Sequence, residues 1–519
     1  MAPHGPHVIA HGLAAAALIA VLATCRSGAP DGKDSSDVRE PAGLARSDAR
    51  HAAPQPGRDW SGVRARDTLT VLAPYNSTTY FIYRGEPMGY EYELLKAFAE
   101  DHGLVLKMVA VEQRDSLMAM LLAGRGDVAA ARLIPLPEDT GRVVYTRALY
   151  HTNPVLVQRS GPPAAAAKQL PEPVDTMLKP GPAEARAIPV RARLVRRPAE
   201  LAGQRVTIPD RGPYTQTLLE LADSITGDID VVEVDSSSEA LMRGVARGVV
   251  AYTLAEGNVA KLQSGYYGNL LIRPVVGAAK PVAWAVRRDA RQLRDTLNAW
   301  IGDEKKRGVM DRLYRKYFID ARGYEERVQS RYLTSETGRL SPYDDLLHRY
   351  APQLGWDWRL LASQMYQESR FRPKARSWAG AVGLLQLMPA TARQFGVRSR
   401  TDPEQNVRGA VKFLQWLDDH WEERIGDSSE RLRFVLASFN VGAGHVEDAQ
   451  HLAEKHGDDP KRWNDVAYWL LQKSKAEYYT DPVVKYGFCR GIEPVTYVSI
   501  ILDRFQHYRQ FVVERQASR

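Results

Sequence analysis

Apolar residues are spaced in several distinct ways along the chain. Leu13 to Ala23 is an unbroken apolar run of eleven residues, too short to span a bilayer and of the length of a signal-peptide core. From 25 to 66 Ala, Pro, Gly, Ser, Asp and Arg dominate and no apolar period is sustained, which predicts a flexible tether with a reach of roughly 35 Å. From Thr68 onward, strand-like runs alternate with amphipathic stretches. Leu69–Leu72, Leu104–Val111 and Asp127–Ala131 read as strands, with helices over Tyr92–Glu100 and Ser116–Ala123 between them. The order returns as strand Arg205–Ile208, helix Tyr214–Ala222, strand Ile229–Val234, helix Ser238–Arg247 and strand Val249–Leu254. Two βαβαβ units of this kind predict a two-lobed α/β domain over 67–320, with a cleft between the lobes. A Pro-, Ala- and Arg-rich insertion at about 161–197 interrupts it; its basic residues from Arg186 to Arg197 suit a solvated loop or contact with an anionic polymer or lipid. A linker is expected at 321–340. Beyond it, Arg359–Glu368 has a helical period, with Leu361, Met365 and Glu368 at i, i+4 and i+7 on one stripe.

A chain of 519 residues with 44% apolar content is too long for one core and too apolar for wholesale disorder. The 70 basic and 62 acidic residues leave a net charge of +8, a mild excess that does not by itself indicate nucleic acid. Helix-turn-helix, zinc-finger and RNA-binding signatures are not apparent. A basic surface suits an acidic polymer such as the bacterial cell wall, or serves solubility alone. Only two cysteines occur. The first closes Leu22-Ala23-Thr24-Cys25, which resembles a bacterial lipoprotein cleavage box. That resemblance implies a signal peptide over 1–24 and a lipid on Cys25; Arg26 in the next position then implies anchoring to the periplasmic side of the outer membrane. A plain cleaved signal with an incidental cysteine is the alternative. Cys489 is left without a partner.

Glu368 carries the candidate chemistry. No Asp or Glu follows it until Thr401 is passed, while seven Arg and Lys residues crowd that segment. A carboxyl on a core-facing helix stripe loses hydration, which raises its pKa toward the range of a general acid. The rival reading is a helix-end Glu satisfied by a nearby Arg. Around it, Gly383-Leu384-Leu385-Gln386 resembles the Gly-Leu-Met-Gln box of the goose-type lysozyme and soluble lytic transglycosylase fold. Ala437-Ser438-Phe439-Asn440-Val441-Gly442-Ala443-Gly444 resembles that family's Ala-x-Tyr-Asn-x-Gly-x-Gly box, and Glu493-Pro494-Val495-Thr496-Tyr497-Val498 its late Glu-Thr-x-x-Tyr-Val box. The resemblance implies a mainly α lysozyme-like catalytic domain over 341–515, acting on peptidoglycan glycan strands. It implies Glu368 as the catalytic acid, with Gln386, Asn440 and Tyr497 binding or orienting, and Ser369 and Ser377 as second-rank contacts. It implies that the muramoyl 6-hydroxyl is the nucleophile, so no second carboxylate is needed. A hydrolase on the same fold needs one, for which Asp402 is the nearest candidate in sequence. A receptor with a dead enzyme domain is a further alternative. No cofactor or metal is implied, and His445, His451 and His456 lack zinc-motif spacing.

The α/β half is similar to the periplasmic solute-binding domains of the amino-acid type. Gly89-Tyr90-Glu91-Tyr92-Glu93-Leu94 resembles their Gly-Phe-Asp-x-Asp-Leu start, and Gly126-Asp127-Val128 their Gly-x-x-Asp box. Arg142 stands where the family places the arginine that grips a ligand carboxylate, for which a bidentate guanidinium is suited; an ordinary surface arginine is the alternative. Ala251 replaces the usual Asp of the second lobe, and Glu256 is the nearest acid for a ligand amine. A muropeptide or peptide ligand is expected in preference to a free amino acid.

Overall fold

The computed structural model of the chain describes residues 59–512, except 162–192 and the single positions 112, 140, 211 and 226. Cys25, the apolar run before it and most of the insertion lie outside the described residues. The described chain falls into two units: 59–341 together with 506–512, and 342–505.

In the first unit, strand Thr68–Ala73 lies between Val105–Ala110 and Val128–Leu133 and runs parallel to both, Leu72 facing Val109 on one side and Ala129 on the other. The helices between them, Tyr90–Asp101 and Arg114–Leu122, bury Leu94, Leu95, Phe98, Leu117 and Leu121 against the sheet. These elements agree with the sequence-based expectation to within two residues. A strand not expected there, Lys280–Arg287, joins the same sheet antiparallel to Val128–Leu133 and carries Val143–Tyr145 on its other edge. It is apolar on both faces from Val282 to Val286, as a central strand must be, so alternation gives no sign of it.

The second lobe pairs Arg205–Pro209 parallel with Asp230–Val234, and Pro154–Arg159 antiparallel with Thr253–Glu256 and Leu270–Leu271. Leu156, Val206, Ile208, Leu218, Tyr252 and Leu254 form its core. The last expected strand, Val249–Leu254, begins later, at Thr253. Gly248, at φ 83°, ends the helix Ser238–Arg247 in the left-handed region, and residues 249–252 are used up in the reversal.

Three expected boundaries are corrected. The tether does not extend to residue 66: Trp60–Ala65 is a helix, capped by the Asp59 carboxylate, with Trp60 packed on Phe98 and His102. The expected linker 321–340 is folded into the first unit. Its helix Ala321–Val328 is capped by Asp320, and Tyr324, Leu333 and Leu340 are buried. The last helix, Ile492–Phe511, does not belong wholly to the second unit. From 506 it packs with the first unit, where His507 hydrogen-bonds the Tyr80 hydroxyl and Phe511 stacks on Tyr75.

The second unit is helical throughout. Its longest complete helix, Pro403–Glu422, starts at an Asp402 cap followed by Pro403. Val407, Ala410, Val411, Leu414, Leu417 and Trp421 form its buried stripe.

Candidate active site

Helix Trp358–Ser369 begins where the Asp357 carboxylate accepts from the Arg359 N–H and ends at Arg370, in the left-handed region at φ 50°. Leu361 and Met365 on the expected stripe are fully buried. Glu368, one turn on, emerges at the wall of a solvent-open cleft of about 710 Å³, lined also by Ser377, Gln386, Phe413, Phe439 and Asn440. Loss of hydration pushes the Glu368 carboxyl up to about 7, and the hydroxyl of Tyr497 partly opposes this by donating to Oε1 at 2.5 Å. Glu368 is the only carboxylate among the described residues lining this cleft.

The loop opposite Glu368 is shaped by backbone requirements. Gly383 lies at φ 98°, and a Cβ there would meet the Arg400 carbonyl oxygen at 2.1 Å, so no other residue fits. Asn406 sits fully buried beneath it: its Oδ1 accepts from the Leu385 N–H at 2.8 Å, while its Nδ2 donates to the carbonyls of Val382 and Arg400. Gln386 donates from Nε2 to the carbonyls of Ala375 and Gly383, so toward the cleft it offers its carbonyl oxygen.

The structure thus brings Glu368, Gln386, Asn440 and Ser377 to one cleft. Ser377 accepts from the Ala381 N–H at 3.0 Å and closes its own loop. Two candidates are placed elsewhere. Tyr497 is fully buried and absent from the cleft wall, so its partner is Glu368 rather than a sugar. Ser369 is buried, and its hydroxyl donates back to the Met365 carbonyl at 3.2 Å, an intrahelical bond. Asp402 is engaged as the helix cap, accepting from the Gln405 N–H at 2.8 Å, and does not line the cleft. Asn406 and Phe413 were missed. Phe413 sits on the amphipathic helix 403–422, where an aromatic reads as core, and Asn406 gives no local signal at all.

In the two-lobed unit, Arg142 makes no ion pair with Glu256 among the described residues. Arg142 is exposed on a turn, its N–H donating to the Asp139 carbonyl. The guanidinium that faces Glu256 is Arg132, at the end of strand Val128–Leu133. It donates to Glu239 Oε1 at 2.8 Å and lies 3.5 Å from Glu256 Oε1. Both acids belong to the second lobe, so this buried arginine bridges the lobes. Its own N–H donates to Glu91, whose carboxyl burial pushes up to about 7 against the opposing hydrogen bonds of Trp284 and Arg132. Among the described residues no His, Cys, Asp and Glu cluster is arranged to hold a metal, and no helix is long and apolar enough to cross a membrane.

Comparison with known proteins gives both halves a family. Residues 69–320 match the bacterial extracellular solute-binding proteins, family 3, and residues 345–461 match the Transglycosylase SLT domain. Among solved structures, the substrate-binding protein AbpA of an amino acid ABC transporter from Streptococcus pneumoniae, bound to L-arginine, is 17% identical at a TM-score of 0.39, covering 50% of this chain and 98% of its own. Membrane-bound lytic murein transglycosylase F of Desulfosudis oleivorans is 31% identical over 457 residues, 86% of this chain and 91% of the relative. The protein of the same name from Shewanella pealeana is 31% identical over 435 residues, 83% of each. The similarity runs through the solute-binding half and the transglycosylase half alike, and the chain belongs to the membrane-bound lytic murein transglycosylase F family.

Proposed function

We propose that the protein is a peptidoglycan lytic transglycosylase in which Glu368 serves as acid and then as base. The observation that carries this is a lone carboxyl at the wall of a cleft with no second acid among the described lining residues, its pKa raised by loss of hydration. Glu368 gives its proton to the oxygen joining N-acetylmuramic acid to N-acetylglucosamine, and the bond from that oxygen to the muramoyl anomeric carbon breaks. The muramoyl 6-hydroxyl attacks the same carbon and closes a 1,6-anhydro ring, and the Glu368 carboxylate takes up the hydroxyl proton. Acid and base are therefore regenerated within one turnover, and the nucleophile is supplied at high effective concentration by the substrate. Gln386 and Asn440 hydrogen-bond the sugar, with Ser377 at the margin. Mass spectrometry of products released from purified cell wall tests the reading: soluble fragments ending in 1,6-anhydromuramic acid are expected, and only reducing-end muramic acid would sink it. The hydrolytic rival lacks support, since Asp402 is committed to capping a helix.

The anchor is part of the same proposal. With Cys25 lipidated at the outer membrane and the enzyme on the periplasmic side, labelled fatty acid is incorporated into the parent protein and not into Cys25→Ser. Absence of label from both would remove the anchor.

For the two-lobed domain the reading is a peptide-bearing muropeptide. Its carboxylate competes with Glu239 for the buried guanidinium of Arg132, and Glu256 takes an amine. Such a ligand gates the enzyme only by preferring one lobe arrangement. By calorimetry, muropeptide binding is expected to be lost in Arg132→Ala and kept in Arg142→Ala. Tight binding of a single free amino acid would contradict the reading.

A further inference from the structure

The hydroxyl of Tyr497 has one proton and two described neighbours. It donates to Glu368 Oε1 at 2.5 Å and accepts from Gln364 Nε2 at 3.2 Å. Gln364 lies one turn before Glu368 on the same helix and is fully buried, and its own Oε1 is buried with no hydrogen-bond partner among the described residues. An unsatisfied buried carbonyl is costly, and a leucine or methionine would fill the same space without it. The seat is also stiff, because the neighbouring Ser363 hydroxyl donates to the Ile501 carbonyl at 2.7 Å and ties this helix to the one carrying Tyr497.

We propose that Gln364 is a positioning residue for the reaction: its amide N–H occupies the acceptor side of the Tyr497 hydroxyl and so commits the tyrosine proton to Glu368 Oε1. This rests on the reading of Glu368 as the acid. With Oε1 taken by the tyrosine proton, the neutral acid carries its own proton on Oε2, free for delivery to the glycosidic oxygen. Without the amide, the hydroxyl can turn and accept the Glu368 proton, which then points into the protein instead of toward substrate. The same turn withdraws a hydrogen bond from the carboxylate that forms after proton transfer.

The sign of the pH effect follows. The Tyr497 hydrogen bond favours the charged carboxylate and lowers its pKa. Loss of that bond, with the hydroxyl accepting instead, favours the neutral acid, and the alkaline limb of kcat/KM moves to higher pH. Among the described residues no ionisable group besides Tyr497 acts on Glu368. On the Tyr497 helix, Arg504 is turned to Gln367 Oε1 at 3.1 Å and to the Tyr366 ring. Arg372, in the loop after the acid helix, donates to the Ser369 carbonyl at 3.1 Å. The segments 377–391 and 438–442 bring no ionisable side chain to the cleft wall.

Two variants, Gln364→Leu and the longer Gln364→Met, guard against a packing defect in either. Each is expected to lower kcat about tenfold, the worth of one hydrogen bond to a charged group, with KM within a factor of two and the alkaline limb shifted upward. In a Tyr497→Phe background the same substitutions are expected to cost nothing further, because there is no hydroxyl left to orient. Unchanged kcat and pH profile in folded Gln364→Met, or a full additional loss in the Tyr497→Phe background, would overturn the proposal. If Glu368→Gln is inactive while Gln364→Met behaves as parent, only the positioning role fails. If Glu368→Gln stays active, the acid itself has been misassigned.

Discussion

Glu368→Gln is expected to reduce release of soluble wall fragments by several orders of magnitude while leaving the fold intact. The amide keeps the shape of the side chain and can still accept from Tyr497, but it has no proton of suitable acidity to give. The stability of this variant has a definite sign. The folded-state pKa of Glu368 is raised to about 7 from an ordinary value of 4.5, so between those values the folded protein binds a proton that the unfolded chain has released. Stability contributed by the neutral acid is therefore present in full below the unfolded pKa and is lost as pH rises toward 7. Glutamine does not titrate. Above pH 7 the variant should melt later than the parent, by on the order of 1–3 kcal/mol of stability given the partly wet cleft wall, and the advantage should vanish near pH 4. Melting curves at the two pH values, run beside the activity assay, check both halves. A variant that keeps substantial turnover would place the proton donor elsewhere.

The second large effect is structural. Asp448 and Lys473 form an ion pair that is buried completely. The same carboxylate accepts from the N–H groups of Lys485 and Tyr486, at 2.8 and 2.9 Å, and so holds the loop on which Tyr486 covers Gly444. A Cβ at Gly444 would come within 2.4 Å of the Tyr486 ring, which gives the second glycine of that box a packing reason. His445 stands 3.0 Å from the lysine, and burial with the nearby ammonium pushes its pKa down to about 4, so it faces Lys473 as a neutral acceptor. Asp448→Ala strands a buried ammonium and two backbone donors together. The expected loss is about 3–5 kcal/mol, or roughly 10 °C in Tm for a domain of this size. Asp448→Asn, which keeps an acceptor but not the charge, should fall between. Calorimetric melting checks this; a change in Tm of under 2 °C for the alanine variant would show that the pair contributes little.

What was legible in advance was set by near neighbours in sequence. The stripe Leu361, Met365 and Glu368 follows from helical geometry, and so does the desolvation of its last member. The helices and strands of the first lobe announce themselves by period. An α/β half and a helical half could be told apart for the same reason: one alternates short strands with helices and the other does not.

The tertiary structure decided everything that depends on which distant residues meet. Arg142 had the expected place in sequence, yet it is Arg132, at a strand end, that the fold sets beside Glu239 and Glu256. Strand Lys280–Arg287 has no alternation because it is buried on both faces, and only the sheet shows where it inserts. The cap at Asp59 and the burial of Tyr324 and Leu333 order two stretches whose composition reads as tether and linker. At the active site, the sequence by itself determined which carboxyl would be desolvated. Packing of the final helix determined that Tyr497, 129 residues away, donates to it and accepts from Gln364. Backbone period is a property of adjacent residues. The direction of a hydroxyl proton is a property of whatever the folded chain places around it.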